Sequence, residues 1–277
     1  MDTPESRIKV LETEVDAVKK YLASLSADDL QWPSACVDWS VADVLAHLAG
    51  QDHASRVRRG LQGDFSPPDG SPVVDDHDED RFARTIFNRA LATREQHGGQ
   101  LLSYLAQRLD EVVKVFNSVG PNDWDKLCYW PPGPEAVRTL LDQRIAELTM
   151  HTWDFRSVID AEYHLSANAV TVLIEGVDRA IRRAFRPDPS LVKPLVHRFI
   201  VEGSAATRKD IVIAAGGAQV QPAGDHEPDV TFQCDGETYV LVMYGRFKIA
   251  GALANGRLTF DGDPSLAVGF GGRFVGG

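Results

Sequence analysis

The feature that most constrains the fold is a change in hydrophobic pattern near Pro187. Before it, apolar residues recur every three or four positions, the spacing of helices that bury one face. After it come short β-branched or aromatic runs bounded by Gly, Asp and Pro, which are typical of strands. The sequence therefore predicts an α+β chain of two domains, an antiparallel helical bundle over 1–186 and a small α+β domain over 187–277.

The individual elements follow from the same patterns. Ser40 followed by Asp43 is typical of a capping box, so we expect a second helix to begin there, and Gly98-Gly99 predicts a break within the third helical stretch. Helical patterns cover about 4–24, 40–61, 81–119, 135–159 and 166–185, the last beginning at Ser166 as N-cap. Strands are predicted at "HRFIVEG", "DIVIAA", "DVTFQCD" and "GRLTFDGD", with the helical stretch "GETYVLVMYGRFKIAGALANG" between the last two.

Composition excludes several classes of function. A net charge of -11 argues against nucleic acid as a partner, because phosphate binding needs a basic face. No apolar run approaches the roughly 20 residues that span a bilayer, so no membrane association is expected. The charged N-terminus lacks the apolar core of a secretory signal. Three scattered cysteines without a CxxC pair fit a reducing compartment, and we expect a cytoplasmic protein.

One stretch, "AELTMHTWDFR", carries a carboxylate and an imidazole on the same helical face. Glu147 and His151 are four residues apart, so their side chains are neighbours. His47 lies in the apolar register of the second helix and is expected to point inward. A carboxylate and two imidazoles can form a three-ligand metal site with one open position. Residue types alone favour a helix-surface ion pair and a core histidine over a metal site.

Asp154 follows one turn after His151. It could accept the ring N–H of a metal-bound His151 and so fix the tautomer of that ring. A salt bridge with Arg156 or Arg144 is the alternative, and the sequence leaves both open.

Two segments resemble a known family. "WPSACVDWSVADVLAHLAG" and "RIAELTMHTWDFR" are similar to the two signatures of the mycothiol-dependent maleylpyruvate isomerases, which are DinB-like metal-binding four-helix bundles. This resemblance covers about residues 5–185. The segment "MYGRFKIAGALANGRLTFDGDPSLAVGFGGRF" looks more loosely like the small sterol-carrier-like domain of the same enzymes.

The resemblance implies a site. Its metal ligands would be His47, Glu147 and His151, a donor set that suits zinc. An arginine of the small domain completes the active site in the resembled enzymes, and Arg246 best fits that role as a clamp for a carboxylate. Asn88 and Arg94 lie on the third bundle helix, where the family supplies pocket residues for the cosubstrate.

The implied chemistry is that of a metal-bound thiol. Zinc deprotonates a coordinated thiol, so mycothiol would act as the nucleophile toward an electrophilic small molecule. We therefore expect a zinc- and mycothiol-dependent S-transferase, with a cis–trans isomerase of the maleylpyruvate type as the alternative. Two other readings stay open: an apolar-ligand or lipid-binding module, and a DinB-like metal protein without catalysis. The electrophile, the metal and the oligomeric state are not determined by the sequence.

The acidic segment within residues 63–80 is the remaining feature. Its Pro, Gly and Asp content predicts a solvated loop, and a lid over the site is the alternative.

Overall fold

The computed structural model describes residues 3–68, 71, 79–131 and 133–274. The chain forms two compact units that divide between Tyr163 and His164. The predicted α+β class with a helical N-terminal part is confirmed. The part of the predicted acidic loop at 72–78 lies outside the described residues.

The first unit is helical. Its helices are α1 (Pro4–Leu22), α2 (Val41–Gly50), α3 (His53–Leu61), α4 (Glu79–His97), α5 (Leu101–Asn117) and α6 (Val137–Arg156). α1 and α2 each pack against both α5 and α6, which forms a four-helix bundle, while α4 lies along α2 and α3 contacts α5 and α6. The interior is apolar, and its fully buried residues include Leu11, Val44, Leu45, Leu105, Leu109 and Leu148.

Local signals explain where these helices begin and end. The capping box predicted at Ser40 and Asp43 is present, with each side chain accepting from the other residue's backbone N–H. Gly98 has φ +44° and opens a 3-10 turn between α4 and α5, so the predicted break is confirmed. The predicted single helix over 40–61 is wrong, because Gln51 is extended and separates α2 from α3.

The start of α6 also differs from the prediction. Helix was expected from about residue 135, but Glu135–Ala136 (β2) pairs antiparallel with Leu127–Cys128 (β1). The helix proper begins at Val137 and ends at Arg156, three residues before the predicted end.

The second unit is built on one sheet. Its elements are α7 (Ala167–Ala184), β3 (Leu195–Glu202), β4 (Thr207–Ala214), β5 (Gly217–Pro222), β6 (Val230–Asp235), α8 (Gly236–Met243), α9 (Ile249–Ala254), β7 (Leu258–Gly262) and α10 (Pro264–Gly269). The strand order is β5-β4-β3-β6-β7, with β3 parallel to β6 and the other neighbours antiparallel. The core on this sheet includes Phe199, Ile211, Ile213, Phe232 and Phe270.

Three details of this unit go beyond the sequence patterns. Ser166 caps α7 as predicted, but α7 packs against β5 and α8, so the compact units divide one helix earlier than the predicted boundary at 186/187. β5 was not predicted, because "GAQVQP" has little apolar character and is held by pairing with β4. The predicted helical stretch is interrupted at Gly245, whose φ of +77° makes a turn between α8 and α9.

Within the described residues, no helix combines the length and apolar character needed to cross a bilayer.

Candidate metal centre

The packing of α2 against α6 brings three predicted residues together. Oε2 of Glu147 lies 3.4 Å from Nε2 of His47 and 3.5 Å from Nε2 of His151. The two imidazole rings are 4.6 Å apart and nearly perpendicular. One ligand atom from each of the three residues lies within 4.8 Å of the other two. His47 and Glu147, which are a hundred residues apart in the sequence, thus lie in one cluster.

Asp154 supports this cluster from within α6. Its fully buried carboxylate places Oδ2 2.8 Å from Nδ1 of His151, so the ring contact is formed. The same Oδ2 accepts from the thiol of Cys36 at 3.2 Å, and the Asp154 carbonyl accepts from the N–H of Ala35 at 2.8 Å. Of the two alternative partners named for Asp154, Arg156 lies 3.6 Å from Asp160, and Arg144 contacts Oε1 of Gln51.

Two residues of this cluster were missed by the sequence analysis as parts of the site. Nε2 of Gln51 donates to Oε2 of Glu147 at 2.6 Å and lies 3.0 Å from Nε2 of His47. Oε1 of Gln51 accepts from Arg144, which is buried at 2% exposure. The helical pattern of the sequence does not indicate that Gln51 faces the cluster, because the residue reaches the cluster only through the break after α2.

Burial and hydrogen bonding set the charges in this cluster. Burial lowers the pKa of His47, so that ring favours its neutral form. Desolvation opposes the charge of Glu147, but its contacts with His151 and His47 hold its pKa well below the ordinary value. Burial likewise opposes the charge of His151, and the contacts with Asp154, Cys36 and Glu147 raise its pKa well above the ordinary value. Without a metal, the cluster therefore holds an ionised Glu147 beside a neutral His47 and a His151 that favours its charged form.

This donor set fits a divalent metal. A carboxylate oxygen and two Nε2 atoms converge from two rigid helices, and the second nitrogen of one ring is held by a buried carboxylate. Zinc sites with catalytic function use such N and O donors, with an outer carboxylate on a ligating histidine. His47, Glu147 and His151 are the residues that would hold the ion.

Aromatic side chains form a wall beside His47. The ring of Trp39 lies edge-on to His47 at 5.7 Å and contacts Phe87 of α4 at 5.5 Å. Trp39 belongs to the first signature segment, and its position shows that this segment lines the cluster as well as leading into α2.

The remaining predicted residues lie as follows. Nη1 of Arg94 contacts Oδ1 of Asp43 at 2.8 Å and Oγ of Ser40 at 3.3 Å, so it binds the capping box of α2. Asn88 is exposed on α4. Arg246 lies in the second unit, half-buried in the turn after α8, and donates from Nη1 to the Tyr244 carbonyl at 2.8 Å. Their roles toward cosubstrate and substrate stay predictions.

One further histidine departs from the sequence analysis. His53 of α3, which the sequence patterns did not place in the core, is buried at 3% exposure, with its ring 6.0 Å from that of Trp130. Burial holds the pKa of His53 well below its ordinary value. Because α3 starts anew after Gln51, its register could not be extrapolated from α2.

Comparison with known families now bears on these residues. The family model "Mycothiol maleylpyruvate isomerase N-terminal domain" matches residues 11–156, more than half of the chain. The chain belongs to this family. A second family model, "SCP-2 sterol transfer family", matches residues 180–274, so the resemblance of both segments is confirmed.

Solved structures agree on the fold. The crystal structure of the mycothiol-dependent maleylpyruvate isomerase matches this chain with a TM-score of 0.62, and the two sequences are 12% identical. The match covers 88% of this chain and 90% of the isomerase chain. A histidine-to-alanine mutant of that isomerase matches with a TM-score of 0.61 and the same identity and coverage. No curated protein matches the sequence.

Proposed function

We propose that this protein is a metal- and mycothiol-dependent enzyme that isomerises a small unsaturated acid of the maleylpyruvate type. The observation that carries the proposal is the convergence of Glu147 Oε2 with Nε2 of His47 and His151, in a chain of this family. The sequence analysis favoured an S-transferase. Family membership supports isomerisation better, so transfer becomes the second outcome of the same chemistry.

The chain's own residues prepare the site. His47, Glu147 and His151 would hold the ion, which when bound lowers the pKa of a coordinated thiol and so supplies a thiolate at neutral pH. Asp154 accepts from Nδ1–H of His151, so that Nε2 of that ring, on losing its proton, would offer its lone pair to the ion. The ionised Glu147 contributes negative charge that offsets the charge of a divalent ion. Trp39 and Phe87 limit the access of water on one side.

The substrate step is addition followed by elimination. The mycothiol thiolate forms a carbon–sulfur bond at the activated double bond, and the electron pair of that bond moves into the conjugated carbonyl. Rotation about the resulting single bond and loss of the thiolate give the trans product and regenerate the thiol. Arg246 is proposed to hold the substrate carboxylate, and Asn88 and Arg94 to contact mycothiol. If the adduct is kept, the net reaction is S-transfer.

The test combines metal and thiol dependence. We expect chelator-treated protein to regain maleylpyruvate isomerisation when zinc is added together with mycothiol, with no net loss of thiol. Consumption of one thiol per product would identify an S-transferase. His47→Ala should be inactive, whereas His97→Ala, which changes a histidine stacked on Tyr104, should retain activity. Zinc binding without thiol-dependent turnover would leave only the metal-protein reading.

A second candidate function rests on the second unit. Residues 180–274 match the sterol transfer family model, so a role in binding an apolar ligand is supported independently of the metal. This role predicts lipid in organic extracts of the purified protein and displacement of a fluorescent fatty acid by it. Elemental analysis separates the two candidates, because about one zinc per chain is expected only for the first.

A further inference from the structure

Gln51 occupies a position that the helical pattern does not explain. It is the first residue after α2, with extended backbone (ψ 138°), and its carbonyl accepts from Nη2 of Arg108 at 3.0 Å. Because the chain leaves the helix here, the Gln51 side chain turns toward Glu147 and His47 instead of continuing the surface of α2. Both the backbone and the side chain of Gln51 are therefore held by arginines, Arg108 from α5 and Arg144 from α6.

The contact with Arg144 fixes the orientation of the Gln51 amide. A guanidinium has only donors, so the atom that faces it must be the amide oxygen. The NH₂ group consequently faces Glu147 and His47. The reversed amide would set N–H against N–H on one side and oxygen against carboxylate on the other.

This orientation also sets the tautomer of His47. The Gln51 NH₂ group lies 2.6 Å from Oε2 of Glu147 and 3.0 Å from Nε2 of His47, so it can donate one hydrogen to each. Nε2 of His47 then accepts, which requires its proton to be on Nδ1. The 3.4 Å separation of His47 Nε2 from Glu147 Oε2 fits two acceptors that share a donor between them.

We propose that Gln51, oriented by Arg144, is a positioning residue that presets Glu147 and His47 as metal ligands. It directs the Nε2 lone pair of His47 into the cluster and holds the carboxylate of Glu147 in place. A ligand bond at Nε2 uses the same lone pair, so in the metal-loaded protein Gln51 keeps its bond to Glu147 and releases His47. This role rests on the proposed metal site and adds two residues to it.

The first test reads the tautomer directly in metal-free protein. ¹⁵N spectra of imidazole-labelled protein at pH 8 distinguish Nδ1–H from Nε2–H rings, and His47→Ala assigns the signal. We expect His47 as the Nδ1–H tautomer in the wild type and a shift toward Nε2–H in Gln51→Leu. An Nε2–H ring in the wild type would overturn the proposal, whether or not the protein binds metal.

The second test is the zinc dissociation constant, measured by competition with a chromophoric chelator. Loss of an outer partner of a ligand costs about 10–100-fold in affinity, and we expect this loss for Gln51→Leu. Gln62→Leu is the matched control, since Gln62 follows α3 as Gln51 follows α2, and its affinity should equal the wild type. Unchanged melting temperature of the metal-free variants shows that folding is intact.

A double-mutant cycle tests the link to Arg144. Because Arg144 acts through Gln51, Gln51→Leu with Arg144→Met should bind zinc within about threefold of Gln51→Leu alone. Additive losses of zinc affinity would show that the two residues act independently and would overturn the role given to Arg144. Wild-type affinity of Gln51→Leu would overturn the whole proposal. If Arg144→Met does not fold, the comparison of zinc affinity between Gln51→Leu and Gln62→Leu decides. A wild type that binds no zinc, or His47→Ala that binds like the wild type, would instead reject the metal site itself.

Discussion

Each unit contains a hydrogen-bonded carboxylate, fully buried in Asp210 and partly exposed in Glu147, and the two are satisfied in different ways. Asp210 of β4 is fully buried and receives Arg198 Nε and Nη2 at 2.7 and 2.9 Å, and also the N–H of Gly224 at 3.0 Å. Nη2 of Arg198 also donates hydrogen bonds to the carbonyls of Gly224 and His226. Oε2 of Glu147 accepts a short hydrogen bond from Gln51, and Nε2 of His47 and of His151 lie 3.4 and 3.5 Å from the same oxygen.

The difference fits the roles proposed for the two clusters, a structural ion pair around Asp210 and a metal-ligand site around Glu147. In the pair of β3 and β4, donors and acceptors match and the network closes on itself, which is the condition for a buried charge to be tolerated. Around Glu147, three potential ligand atoms face one another. These atoms come from side chains that are only partly buried, and a cation bound among them, as proposed, would be held by all three.

The largest effect expected from this comparison is in Glu147→Gln. This change removes the anionic ligand while keeping shape, so zinc affinity should fall by more than the ~100-fold upper range for outer partners. The free energy of unfolding of the metal-free protein should fall by less than in Asp210→Asn, because the Glu147 side chain is partly exposed whereas Asp210 is fully buried. Chelator competition and urea unfolding measure the two quantities. A large loss of stability with unchanged zinc affinity would reverse the roles assigned to Glu147 and Asp210.

Asp210→Asn is the converse change. It leaves Arg198 buried without its counter-charge, and we expect a loss of about 3 kcal/mol in the stability of the second unit. Zinc affinity should not change. Urea unfolding followed by far-UV circular dichroism measures the loss, and Asp261→Asn, at an exposed position of β7, is the control that should be neutral. A neutral Asp210→Asn would show that the closed network contributes little.

Asp154→Asn is expected to have a smaller effect on the metal. The amide still accepts from Nδ1 of His151 but lacks the charge that makes the ring a better ligand, so zinc affinity should fall about tenfold. Asp160→Asn provides the control on the same part of the chain, because Asp160 contacts Arg156 instead of a ligand. Equal affinities for Asp154→Asn and the wild type would limit Asp154 to holding the loop at Ala35 and Cys36.

The same comparison shows what sequence can and cannot predict. Glu147 and His151 were found because they share one helix, where spacing determines which side chains are neighbours. His47 needed the helical register of α2 and the family signature. Gln51 could not be found, since its placement depends on a break that begins a new register. The helices and four strands were predicted from periodicity, whereas β5 depends on pairing with β4.

The Arg198–Asp210 pair was not predicted for a related reason. The two residues face each other across β3 and β4 in a register that the helical and strand patterns do not specify. On a strand, a charged residue in an inward position is recognised as paired only once its cross-strand neighbour is known. The domain boundary differed by one helix because α7 has a bundle-like pattern, and only its contacts with β5 and α8 assign it to the sheet.

An effect of similar size to that of Asp154→Asn is expected in the acid response, which differs between the two units. His197 of β3 is fully buried, with its ring 5.0 Å from that of Phe270, and burial lowers its pKa to about 4. The unfolded chain binds a proton at this residue below about pH 6.5, but the folded protein does so only near pH 4. The stability contributed by neutral His197 is therefore complete above pH 6.5 and declines as the pH falls toward 4. His151 has the opposite sign, since a raised pKa contributes stability that is lost as the pH rises.

Replacing the titrating ring isolates this effect. His197→Phe keeps a planar ring among the same aromatic neighbours, so its stability relative to the wild type should improve by about 1 to 2 kcal/mol between pH 7.5 and pH 5. Urea unfolding at several pH values measures this difference, and the titration of all other groups cancels in it. A difference that stays constant with pH would mean that the pKa of His197 does not change on folding. Polar contacts would then offset the burial of His197, as they do for Glu147.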